Sequence, residues 1–148
     1  MSLKERLSEA MKEAMKAKDS VRLNTIRMTR SAIKNKEIEQ KQELDDAAVM
    51  AVISTMLKQR REAASVYREG DRIELAEQEE AESVILQEFL PAQLSEDELR
   101  EIVEAAVTEC GATSMRDMGK VMQAVVAKTT GRADGKLVSA MVKTRLSS

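Results

Sequence analysis

The chemistry this sequence writes most plainly is the holding of phosphate by lysine and arginine. The densest stretch is Met118-Gly119-Lys120-Val121-Met122, followed by Gly131-Arg132-Ala133-Asp134-Gly135-Lys136-Leu137-Val138. On a helical wheel Arg116 and Lys120 lie opposite the face carrying Met118, Met122 and Val125. Lys136 and Lys143, seven residues apart, lie opposite Leu137 and Met141. Together with Lys128 and Arg132 they form a candidate RNA-binding set that would grip phosphates rather than read bases. The plainer alternative is that the glycines and Asp134 only cap helices, while the bases form a solvated face.

A second constellation is Arg27, Arg30 and Lys34, at i, i+3 and i+7 beside Leu23, Ile26 and Ile33. These cations border an apolar stripe, so partial burial is expected. Arg60 falls near the middle of an apolar stripe, closer to a core than a solvated arginine should be. Such residues either line a binding groove or snorkel and pair with carboxylates.

Other reactive types resolve more simply. Cys110 shares a face with Leu99, Val103 and Ala106, which predicts a buried, inert thiol. Glu77, Glu79, Glu80 and Glu82 would suit Mg²⁺, yet no phosphate-cradling glycine loop accompanies them, and a solvated acidic face is expected. Among the ten methionines, Met118, Met122 and Met141 sit on core stripes and read as gap-fillers.

The chain has no His, one Cys, no Trp, and only Tyr67 and Phe89 as aromatics. That removes Ser-His-Asp and Cys-His catalysis, imidazole metal ligands, a Cys-x-x-Cys redox pair and a Cys-rich zinc site. Two aromatics cannot furnish the stacking platforms of most single-strand binders. No catalytic residue, cofactor or metal site is therefore expected, and the chain reads as non-catalytic by itself. Composition leaves a carboxylate pair open, but no pocket-forming context points to one.

These residues need elements to position them. At 148 residues, 43% of them apolar, the chain can bury an aliphatic core in one or two small domains. Strand signals are nearly absent and amphipathic helices dominate. Ser2 with Glu5 has capping-box spacing ahead of Leu3, Leu7, Met11, Ala14 and Met15. Asp19 or Ser20 caps a second helix through Ile33 or Ile38, and Asp45 or Asp46 caps a third that stops at Gly70. Asp71 opens a fourth, with Leu75, Val84, Ile85, Leu86, Phe89 and Leu90 as its apolar residues, ending near Pro91. Three short helices follow: Ser95 to Gly111, Ser114 to Gly131, with Val125 and Val126 on its stripe, and Asp134 to the end. The expected fold is all-α, with an N-terminal multihelical domain over 1–91 and a three-helix module over 92–148.

Charge is distributed unevenly beneath a net −2. Residues 1–36 carry +6, residues 37–111 carry −13, and residues 112–148 carry +5. Two basic ends flank an acidic centre, which permits a polyanion-binding surface.

The Met-Gly-Lys-Val-Met and Gly-Arg-Ala-Asp-Gly-Lys pieces resemble the GatB/YqeY tail module, which also ends the B subunit of the glutamine-dependent tRNA amidotransferase. The Arg27 to Asn35 helix, Lys58-Gln59-Arg60-Arg61-Glu62 and Phe89-Leu90-Pro91-Ala92-Gln93-Leu94-Ser95 are similar to free-standing YqeY proteins. The resemblance implies the two-domain helical fold and tRNA contact through the tail, without the catalytic cradle of the larger subunit. It departs from the pattern at Ala127, where a proline is usual, and at Gln123, where a glycine is common. Without that proline the helix would run further, altering the pose of Lys128 and Arg132.

The functional expectation is a non-catalytic accessory protein that binds tRNA or another structured RNA. The alternatives are a protein–protein adaptor with a protein partner and, weakest, a carbon–nitrogen ligase using glutamine as amido donor, attached by kinship. No DNA and no membrane partner are expected. The lone cysteine, the absence of an apolar leader and the absence of a run of ~18 apolar residues predict a cytoplasmic protein, and the resemblance to free-standing YqeY proteins implies a bacterial one.

Overall fold

The computed structural model describes residues 1–147 and is all-α, with no strand among the described residues. Its elements are α1 (Leu3–Ala17), α2 (Ser20–Gln40), α3 (Asp46–Glu69), α4 (Ile73–Gln87), α5 (Glu96–Cys110), a 3-10 turn (Met115–Asp117), α6 (Met118–Thr129) and α7 (Gly135–Ser147). The chain divides into two compact units, Met1–Pro91 and the residues from Ala92 onward.

The first unit buries one aliphatic cluster. Leu7, Ile26, Val49, Ile53 and Leu86 are its most enclosed large side chains, with Phe89 and Leu90 closing the end of α4. Along α2 the buried line includes Thr25 and Thr29, whose hydroxyls donate to the Val21 and Thr25 carbonyls at 2.8 Å each, so neither is left unsatisfied. Ser2 caps α1 by accepting from the Glu5 amide, while the Leu3 amide donates to Asp46 Oδ1 at 3.0 Å. That bond pins the start of α1 to the start of α3. Asp19 and Asp45 cap α2 and α3 as their spacing predicts.

Helix endings depart from expectation. Helices α1 and α2 stop on Lys18 and Lys41 in the left-handed region, at φ 58° and 56°, a place usually taken by glycine. Gly70 does end α3, but at φ −86°, and the left-handed residue is Asp71 at φ 57°. Asp71 is thus spent on the turn and does not cap α4, which begins at Ile73 without a side-chain cap. Leu75 and Val84, expected on an apolar face, point outward; Val84 is 64% exposed.

The second unit buries Leu99, Val103 and Val107 of α5, Val121 and Val125 of α6, and Val138, Val142 and Leu146 of α7. Each set recurs at four-residue spacing and gives one narrow stripe per helix. Val126 and Leu137, read as part of these stripes, are exposed at the edges. Ser114 and Asp117 each accept a backbone donor, though not one another's, and together they close a 3-10 turn: Ser114 Oγ accepts from the Arg116 amide and Asp117 Oδ2 from the Thr113 amide. Helix α6 ends at Thr129, where a left-handed, buried Gly131 (φ 77°) reverses the chain toward Asp134, which accepts from the Lys136 amide at 2.9 Å. The residues before α5 are stitched to this reversal. The Leu94 amide donates to the Arg132 carbonyl at 2.8 Å and Gln93 Nε2 to the Gly131 carbonyl at 3.0 Å.

Ser95 and Glu98 complete a capping box on α5, with Ser95 Oγ accepting from the Glu98 amide and Glu98 Oε1 from the Ser95 amide. The bonds from Ser95, and then the positive charge of Arg132, hold the Glu98 carboxyl below its ordinary value of 4.5. A folded-state value below the unfolded one means the unfolded chain takes up the proton first. The contribution is whole above about pH 4.5 and is lost as pH falls through the lower folded value. Ser95→Ala should cost about 1 kcal/mol in the second unit, read by amide exchange in α5. Glu98→Gln should flatten the acid-side loss of protection; an unchanged pH dependence would refute the assignment.

Candidate nucleic-acid interface

The second unit as a whole is electrically neutral, holding eight bases and eight acids from Ala92 onward. The signs are separated, however. Six acids lie on α5, and the remaining two, Asp117 and Asp134, are used in caps. Helices α6 and α7 with their connection carry Lys120, Lys128, Arg132, Lys136, Lys143 and Arg145.

Helix α5 neutralises part of that set. Glu109 lies 3.8 Å from Lys128, and Glu104 pairs with Arg145. Arg132 is half-buried, its Nε donating to the Ala92 carbonyl at 3.4 Å and its charge felt by Glu98. It therefore braces the reversal at Gly131 against the residues before α5, a role the sequence did not disclose because Ala92 is forty residues away. Arg116, Lys120 and Lys143 are exposed, with no carboxylate in ion-pair reach among the described residues. Lys136 is exposed at the start of α7.

The candidate residues do not make one helix face. Lys136 and Lys143 are about 20° apart around α7, but Lys120 and Lys128 are about 80° apart around α6. Arg116 belongs to the 3-10 turn, so its wheel position relative to Lys120 does not apply. Cys110 is half-buried against the core of this unit, less enclosed than expected.

In the first unit the second constellation splits in two. Arg60 is enclosed: its Nε donates to Glu82 Oε2 at 3.0 Å, and both side chains are only 13% exposed. Arg27, Arg30 and Lys34 are instead exposed, contrary to the partial burial expected, and line a groove of about 580 Å³ between α1 and α2. Their helix leans its Ile26 and Ile33 inward, which turns the cations toward α1. The acidic run of α4 is not a bare solvated face, since Glu80 takes both Nε and Nη2 of Arg68 while Glu82 takes Arg60. Phe89 offers no base-stacking platform. Phe89 is buried, with the guanidinium carbons of Arg6 and Arg22 at 5.8 and 6.0 Å from its centroid, and Tyr67 is half-buried.

A family model described as "Yqey-like protein" matches residues 4–146. The chain is 33% identical over 144 residues to "Altered inheritance of mitochondria protein 41, mitochondrial" of Lachancea thermotolerans, covering 92% of this chain and 76% of that protein. The protein of the same name from Pyrenophora tritici-repentis is 31% identical, covering 93% and 77%. For that of Vanderwaltozyma polyspora the match is 38% over 85 residues, and this chain spans about half of it, 46%. These relatives overturn the expectation of a bacterial, cytoplasmic protein, because they are eukaryotic proteins named as mitochondrial. The physical reason is that an apolar leader is a mark of secretion alone. Mitochondrial addresses are amphipathic and arginine-rich, and scarce cysteine does not separate the compartments.

The Arg60–Glu82 pair yields a stability prediction. Arg60→Met should destabilise the first unit by about 1–3 kcal/mol, because Glu82 is left enclosed without its partner. Arg60→Met with Glu82→Leu should recover most of that loss in urea melts. Equal destabilisation in the single and double variants would show that packing, not the unpaired carboxylate, sets the cost.

Proposed function

The chain belongs to the Yqey-like family, and from that premise we propose that it is a non-catalytic accessory protein that binds tRNA or another structured RNA through phosphate contacts on its second unit. The observation that carries this reading is the separation of charge there. The acids are gathered on α5 or spent in caps, while Arg116, Lys120 and Lys143 face solvent with no carboxylate in ion-pair reach among the described residues. Binding would be electrostatic and weakly selective for sequence, since phosphate contacts position a partner without reading bases. Folded RNA suits the protein better than single strands, because the chain has only two aromatics, both lie in the first unit, and Phe89 is buried there. The likeness of the tail pieces to the end of the amidotransferase B subunit supports the same reading.

The test is a titration of labelled tRNA at about 50 and about 200 mM salt. Affinity should fall steeply with salt, and Lys120→Glu with Lys143→Glu should weaken binding and reduce the salt slope by about one per lysine. Undetectable or salt-independent binding, or binding indifferent to the double variant, would sink the proposal. An adaptor for another protein would keep its partner in that variant, and a ligase would release ammonia from glutamine.

A further inference from the structure

We propose that the groove between α1 and α2 is a binding site for the pyrophosphoryl group of a small molecule, separate from the RNA surface of the second unit. Four cations surround it: Lys4 from α1, and Arg27, Arg30 and Lys34 from α2. One carboxylate faces them, Glu37, and it is already engaged. It accepts from Lys4 Nζ and, at 2.9 Å, from the Leu44 amide. The Lys4 hydrogen bond, then the Leu44 amide and the nearby charges of Lys4 and Lys34, hold it below the ordinary carboxylate range. The groove is left with an excess of three positive charges.

The three cations of α2 are poorly provided for by the protein itself. Arg27, Arg30 and Lys34 have no carboxylate in ion-pair reach among the described residues. Arg30 spends one guanidinium N–H on the thioether sulfur of Met11 at 3.0 Å, a weak acceptor for a charged donor. Like charges one and two turns apart repel, so their gathering on one side of α2 is unfavourable until an anion arrives. A phosphoryl oxygen is the stronger acceptor for a guanidinium, and two linked phosphoryl groups match the excess charge and the spread of the cations along two turns.

The rest of the groove fits a small ligand better than an RNA backbone. Its volume of about 580 Å³ is that of a small-molecule pocket. The hydroxyls of Ser8 and Ser31 add polar contacts, and Leu7, Met11 and Ile33 supply an apolar floor. Such a floor would shelter the uncharged part of a nucleoside diphosphate, whereas a bare pyrophosphate would use the cations alone.

Calorimetric titration of the full chain with inorganic pyrophosphate and with adenosine diphosphate, at about 0.1 M salt, tests this. Both probes should bind, and tighter binding of adenosine diphosphate would identify the organic part as read, equal binding a free pyrophosphate. Arg27→Gln with Arg30→Gln should weaken both by about ten-fold or more, since charge-assisted bidentate contacts are lost. Lys34→Gln serves as a milder second variant should the double change disturb folding. Lys120→Glu with Lys143→Glu should leave both affinities unchanged, which separates this site from the proposed RNA surface. The proposal is overturned if neither probe binds, or if binding survives the Arg27 and Arg30 changes in a folded protein. It is also overturned if those changes weaken only tRNA binding, which would make the groove part of an RNA interface.

Discussion

The carboxylate of Glu37 joins three pieces of the first unit: the start of α1 through Lys4, its own position near the end of α2, and the loop into α3 through the Leu44 amide. A charged acceptor holding a backbone N–H and an ammonium together is stronger than a neutral hydrogen bond. It also fixes where the loop must run before Asp45 can cap α3. The cost of this arrangement is electrical. The one acid beside the cations of α2 is committed to Lys4 and the Leu44 amide, and Arg27, Arg30 and Lys34 stand above an apolar floor with no ion pair among the described residues.

Elsewhere the acidic middle of the sequence serves as internal counter-charge. Helix α4 lends Glu80 to Arg68 and Glu82 to Arg60, and Glu88 just beyond it meets Arg22. Helix α5 does the same for Lys128 and Arg145. Apart from the enclosed Arg60–Glu82 pair, these are exposed to solvent and screened by it, so they do not hold the fold together. That task falls to the aliphatic clusters, where burying one Leu or Val is worth about 1.5–3 kcal/mol. The pairs act instead on the surface that remains. By covering some cations and not others, they decide which parts of a nearly neutral chain present positive charge.

Most of the helical architecture could be read from spacing. Ser2, Asp19, Asp45, Ser95 and Asp134 all accept the backbone donors that their positions imply, because a cap is a local interaction within four residues. Helix ends were less legible. Lys18 and Lys41 occupy left-handed turns that nothing in their side chains announces, and Asp71 takes the turn that Gly70 advertises. The fate of each cation was least legible. Arg60 and Arg132 read in sequence as candidate binding residues, yet Arg60 is paired with Glu82 and Arg132 is tied to the Ala92 carbonyl. Partners twenty-two and forty residues away leave no periodic trace. The groove of Arg27, Arg30 and Lys34 was visible as a pattern, but its opposite wall required Lys4 and Met11 from α1.

The placement of the two aromatics has a consequence for how the molecule can be watched. Tyr67 and Phe89 both lie in the first unit, and the second is built from Val, Leu, Ala and Met without a ring. In near-ultraviolet light the second unit is therefore silent, and any tyrosine emission or aromatic dichroism reports the first alone. Backbone dichroism sees both. Set side by side, the two signals distinguish melting of one unit from melting of the other in the unlabelled chain.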